Sequence, residues 1–151
     1  MLNDADRRIL KTYQRNPRAS VSELSDALGQ SPAVVTRRIQ ELRAEGVLGA
    51  PRAIVNWRAL GYEVEVSLRV TLDKSSSRAF DECIAAARSI REIIEIQTFL
   101  GQVDLRLGVV AYDMAHYQTL YREDILSLPH IADIEALMHV GRVKYDRNLP
   151  L

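Results

Sequence analysis

The 151-residue chain predicts an α+β protein of two domains. The N-terminal one is a helical domain built on a helix-turn-helix, and the C-terminal one is a ferredoxin-like βαββαβ domain. Three observations lead there. Two helix-start signals, Ser20 and Ser31, stand on either side of a Gly29-Gln30 step. From Tyr62 onward the apolar residues change from helical spacing to strict alternation. Charge divides with them: residues 1–60 hold 10 Lys/Arg against 6 Asp/Glu, and residues 61–151 hold 10 against 14. The formal net charge of +0 therefore joins a basic front to an acidic back, as two modules with different partners would require. The expected division is residues 1–48, a connector over 49–61, and residues 62–151.

In the front module, Asp4 or Asp6 is expected to cap a first helix that carries Ile9, Leu10 and Tyr13 and ends before Pro17. Ser20 followed by Glu23 is a capping box. Leu24, Ala27 and Leu28 then share one face, and Gly29 ends the helix in a left-handed conformation. Ser31 is the next cap, with Pro32 at the first helical position. Two short helices joined this tightly must cross steeply, which is the helix-turn-helix arrangement.

On the third helix Val35, Ile39 and Leu42 point to the core. Ala33, Arg37, Gln40 and Ala44 lie opposite, with Thr36 alongside and Arg38 near the core edge. Small residues at the N-terminal end permit close approach to DNA, while Arg and Gln suit guanine and adenine edges. Ser31 and the free amides of the helix start suit phosphate. The expected DNA contacts are Ser31, Pro32, Ala33, Thr36, Arg37, Arg38 and Gln40. Pairs such as Arg37–Glu41 also occur on merely solvated helix faces; the capped helix pair tips the reading toward DNA. Beyond Gly46, Ile54 and Val55 suggest a short strand within a connector, in which Arg52 and Arg58 are either further phosphate contacts or simply solubilising linker charges.

In the back module, "YEVEVSLRVTL" sets Val64, Val66, Leu68, Val70 and Leu72 on one face of a strand. A helix follows, with Phe80, Ile84 and Ala87 at helical spacing and Cys83 as a small core residue. "EIIEIQTFL" and "VDLRLGVVA" form two strands around a Gly101-Gln102 turn. A helix capped by Asp113 carries Tyr117, Leu120, Tyr121 and Leu128 toward the core, and "IADIEALMHV" is the last strand. The order is the split βαβ motif, with both helices on one sheet face. The other face is expected to show Glu63, Glu65, Arg69, Glu95, Gln97, Phe99, Asp104, Arg106, Glu135, Leu137 and His139, either solvated or carrying interface ion pairs.

Composition narrows the function classes. With 47% hydrophobic and 26% charged residues the chain reads as soluble and globular, without the apolar length of a membrane span. The opening MLNDADRRIL lacks a signal-peptide core. Cys83 is the single cysteine, so no internal disulfide or cysteine metal cluster is expected and a reducing cytoplasm is the natural location. His116, His130 and His139 lack metal-ligand spacing, and nucleophile-elbow and P-loop motifs are absent. Neither metal nor cofactor is expected.

The run "SVSELSDALGQSPAVVTRRIQELRAEGVL", the turn "GQVD", the "LPHI" before the last strand and the ending "VKYDRNLPL" resemble the Lrp/AsnC family of transcription regulators over essentially the whole chain. The resemblance implies a winged helix-turn-helix domain on double-stranded DNA, a ligand-sensing C-terminal domain, and an amino acid or similar small metabolite as effector. It also implies homodimers formed through the sheets that assemble into octamers. The recognition helix maps onto Pro32–Glu45. By position, the implied effector lining is Gly101, Gln102, Val103 and Asp104 at the turn, with Ala136 and Met138 on the last strand. The family's turn usually reads Thr-Gly-Asp-Tyr-Asp, and of these only Gly101 and Asp104 match; Ala136 stands where a Thr or Ser is usual. The resulting lining is more apolar than the pattern, which favours a bulky apolar or aromatic amino acid. Asp104 either holds the ligand ammonium, stabilises the turn, or pairs with Arg106. The alternative weighed is an enzyme of the same architecture, a siroheme decarboxylase-like protein dependent on histidine and arginine; the non-enzymatic reading is preferred.

Overall fold

The structure, a computed structural model, describes residues 2–144 and 148–151. The chain forms two compact units, one from residues 1–54 with 144–151, the other from residues 55–143. Lys144 and the described residues 148–151 group with the helices of the first unit.

That unit holds α1 (Asp4–Arg15), α2 (Val21–Leu28) and α3 (Pro32–Ala44). The cap of α1 differs from expectation. Asn3 fills the position, its Oδ1 accepting from the Asp6 amide at 2.9 Å while the Asp6 carboxylate accepts from the Asn3 amide at 2.8 Å. Asp6 is thus the returning arm of a capping box. Ser20 and Glu23 form the second box, with reciprocal contacts of 3.2 and 2.6 Å. Gly29 adopts φ 65°, and the Gln30 amide turns back to the Ser25 carbonyl at 3.1 Å. Ser31 caps α3 through the Val34 amide at 3.5 Å. Ile9, Leu24, Val35, Ile39 and Leu42 close the core between the helices. Full burial of such side chains contributes about 1.5–3 kcal/mol each, so this small unit rests on few residues. The segment after α3 forms no strand: Ile54 is 94% exposed, because no neighbouring strand offers its backbone a ladder.

The second unit opens with a 3-10 turn, Trp57–Leu60, and continues through β1 (Val64–Leu72), α4 (Ala79–Ser89), β2 (Ile93–Thr98), β3 (Leu105–Ala111), α5 (Met114–Leu120) and β4 (Ile131–Met138). The sheet order is β2-β3-β1-β4, antiparallel throughout. This is the predicted ferredoxin-like topology. Val66, Leu68, Val70 and Leu72 are buried beneath the helices with Cys83, Ala87, Tyr117, Leu120 and Ile125. Burial pushes the Cys83 thiol up from its ordinary value, in keeping with a packing role. The second helix is shorter than its sequence pattern suggests. After Leu120 the backbone widens into one π-helical turn, Tyr121–Ile125, closed by the Leu126 amide on the Tyr121 carbonyl at 2.9 Å.

The uncovered sheet face is knitted by polar contacts. Arg69 meets Glu135 at 3.2 Å. Arg106 donates to Ser67 at 2.9 Å and to Gln97 at 3.2 Å. Glu65 gathers His139 and Arg142, at 3.2 and 3.0 Å. Asp104 is the exception to the expected face. It is 2% exposed, accepts from the Leu72 amide at 2.9 Å, and pairs with Lys74 at 2.7 Å. Arg106 is not its partner.

Candidate DNA-binding face and effector cleft

The outward side of α3 is built by the residues that helical periodicity turns away from the core. Ser31, Pro32, Ala33, Thr36, Arg37 and Gln40 are exposed, whereas Val35, Ile39 and Leu42 are buried. The Arg37 side chain is 71% exposed and only loosely associated with Glu41 at 3.6 Å. A guanidinium this free can rotate to a base edge at little cost. Arg38 has a different setting. Its Nε donates to Asp6 at 2.7 Å, its second nitrogen pairs with the same carboxylate, and Nη1 meets Glu41 at 2.5 Å. Because the Asp6 side chain is fully buried, Arg38 neutralises it and bolts α3 to α1. The Arg38 contact holds the Asp6 carboxyl below its ordinary value of 3.8 against the opposing effect of burial, as a charged hydrogen bond in a desolvated setting should. Arg8 adds a second strut by donating to the Ala27 carbonyl, near the C-terminal end of α2. Together these contacts fix the angle at which α3 is presented.

In the sheet unit the six expected effector residues fall into two groups. Gly101, at φ 153°, and Gln102 are exposed on the β2–β3 turn, and the Gln102 carbonyl accepts from the Thr71 hydroxyl at 3.1 Å. Val103 is half-buried. Asp104 is committed inward, as described. Burial alone would raise its carboxyl, but Lys74 and the Leu72 amide hold it below 3.8. The ammonium it holds therefore belongs to the chain itself. Ala136 and Met138 sit on edge strand β4, opposite Leu68 and Val66. Ala136 lines a cleft of about 390 Å³ with Tyr117, Gln118, Tyr121 and Arg122. The Tyr117 hydroxyl is buried and, among the described residues, has no hydrogen-bond partner. Turn and cleft lie on opposite sides of β1, so one copy of the chain does not join them into a single cavity.

The sequence patterns left unnoticed a ring cluster at the far end of the sheet. The Glu63 amide donates to the Tyr112 carbonyl at 3.2 Å, which brings the start of β1 beside the end of β3. Tyr62 and Tyr112 then stack at 4.2 Å, and Tyr112 and His116 at 5.3 Å. The only available signal was that both tyrosines flank strands expected to pair.

Residues 65–149 match the family model described as the Lrp/AsnC ligand binding domain, and residues 2–48 match a winged helix-turn-helix DNA-binding model. The chain belongs to the Lrp/AsnC family. Relatives agree over almost the full length. The leucine-responsive regulatory protein of Haemophilus influenzae is 31% identical over 150 residues, covering 99% of this chain and 90% of that protein. An uncharacterised helix-turn-helix regulator of Sinorhizobium fredii is 30% identical, covering 99% and 89%. Among solved structures, a Neisseria meningitidis regulator in complex with L-Met superposes with a TM-score of 0.89 at 23% identity, covering 99% of this chain and 97% of that one. Escherichia coli AsnC gives 0.88 at 22%, covering 99% and 98%; these two likenesses concern the fold. As an Lrp/AsnC member the chain is a transcription regulator with a DNA-binding domain and a ligand-binding domain. The matches lend no support to the decarboxylase alternative.

Proposed function

We propose that this Lrp/AsnC protein is a cytoplasmic, non-enzymatic regulator that reads an operator with the exposed face of α3 and responds to a bulky apolar or aromatic amino acid. The observation that carries the DNA reading is the contrast between two adjacent arginines: Arg37 is free toward solvent, whereas Arg38 is held on Asp6. Arg37 and Gln40 read bases, Ser31 and the start of α3 contact phosphate, Pro32, Ala33 and Thr36 permit close approach, and Arg38 orients the helix. The preference for an apolar effector follows from the ring-walled cleft beside Ala136. Since the turn residues 101–103 and the cleft are on opposite sides of β1, an effector touching both is held between copies of the chain. A homodimer, and a larger assembly such as an octamer, accord with that arrangement and with palindromic half-sites. No helix among the described residues is long and apolar enough to cross a membrane.

The test is operator binding over a range of salt concentrations. Arg37→Ala is expected to lose about 1–3 kcal/mol on the cognate site and to relax its sequence preference. Equal binding of Arg37→Ala and wild type at every salt concentration would remove α3 as the reading face.

A further inference from the structure

We infer that the ring cluster at the start of β2 is a second amino-acid site, separate from the cleft beside Ala136 and selective for a zwitterion with an aromatic side chain. A cleft of about 550 Å³ opens there, within the range of roughly 300–1,000 Å³ usual for small-molecule sites. Its wall is aromatic: the Tyr62, Tyr112 and His116 rings form one stacked series, and Trp57 completes the lining. The Tyr112 hydroxyl donates to that of Tyr62 at 2.9 Å, and the Tyr112 amide donates to His116 Nδ1 at 3.2 Å. The wall is therefore fixed before any ligand arrives.

Two opposite charges adjoin this wall. Arg91 and Glu92 both line the cleft. Arg91 forms no ion pair among the described residues, and His116 Nε2 lies 4.0 Å from the Glu92 carboxylate. A guanidinium with an open fork suits a carboxylate, and a carboxylate near π faces suits an ammonium. Consecutive in the chain, the two present the charge pattern of an α-amino acid main chain. The side chain of such a ligand meets ring faces and the 5%-exposed Val110, where offset stacking is favourable. Nucleotides and other polyanions fit poorly, because Glu92 would face a second negative charge.

Trp57 is the only tryptophan in the chain, so its emission reports this cleft directly. Titrating the full chain with L-phenylalanine should change Trp57 emission. Arg91→Met and Glu92→Gln should each weaken that response at least tenfold. 3-Phenylpropanoate, which lacks the ammonium, should bind weakly and be indifferent to Glu92→Gln. Ala136→Trp, which fills the other cleft, carries a second indole, so its binding is read by calorimetry; the phenylalanine binding that remains should be lost when Arg91→Met is added to it. An unresponsive Trp57 in the wild type would overturn the inference. So would phenylalanine binding that survives both charge variants but disappears in Ala136→Trp, since that result assigns the ligand to the other cleft and leaves the proposed effector reading intact.

Discussion

Asp104 shows how a buried carboxylate is held in place by groups of its own chain. Its two oxygens are taken by the Leu72 amide and the Lys74 ammonium, so removing them affects folding first. Asp104→Ala leaves the Leu72 N–H without its acceptor and should destabilise the sheet unit by about 1–3 kcal/mol. Asp104→Asn, which keeps an acceptor, should cost less; equal losses in the two variants under chemical denaturation would show that the amide contact is immaterial. The pH dependence has a definite sign. Asp6 and Asp104 both have folded values below the ordinary 3.8, so each stabilises the fold above the ordinary carboxylate range. That contribution falls away as pH drops through the lowered folded values. Unfolding followed from about pH 6 downward should show stability declining below about pH 4. An Asp6→Asn variant, unable to bind the extra proton on unfolding, should decline less steeply. Removing the charge from Asp6 also leaves Arg38 without its buried partner, and Asp6→Ala should cost the helical unit about 2–3 kcal/mol.

At the scale of elements, the α2–α3 turn was legible because its physics is local. A capping box, a left-handed glycine and a second cap lie within a dozen residues, and Gly29 does take φ 65°. A Cβ there would meet no atom within 4 Å, so the constraint is purely conformational. Gly29→Ala should destabilise the helical unit by about 1–2 kcal/mol, while Gly29→Asn, which tolerates the left-handed region, should recover part of the loss. A calorimetric scan in which Ala and Asn behave alike would show that the turn relaxes away from that conformation. The strands were legible by alternation, and Val66, Leu68, Val70 and Leu72 are buried as a set. Alternation also misplaced Asp104, because the partners that draw it inward, Leu72 and Lys74, are some thirty residues away in sequence. Periodicity puts Arg38 near the core edge, where it lies, but its partner Asp6 was not legible, because only the meeting of α1 with α3 supplies it. The Ile54–Val55 strand failed for want of a neighbour, and the ring cluster escaped notice because antiparallel register, not sequence proximity, joins Tyr62 to Tyr112.

For the molecule as a whole, the chain's final stretch adds contacts that the helices alone do not supply. Residues 148–151 are described with the helical unit, not with the sheet that precedes them. The Gln14 side chain brackets Leu149, donating to its carbonyl at 3.3 Å and accepting from its amide. Leu151 packs on the helical core with Leu2, Tyr13 and Leu48. Deleting residues 149–151 should remove the bracketed hydrogen bonds and the Leu151 contact, lowering the stability of the helical unit by about 1–2 kcal/mol. Trp57 lies in the sheet unit, so its fluorescence should follow an unchanged transition while far-UV circular dichroism reports earlier melting of the helices. Gln14→Ala should produce a smaller shift of the same kind. If the truncated and complete chains melt identically by both probes, the tail is not a structural part of the helical unit.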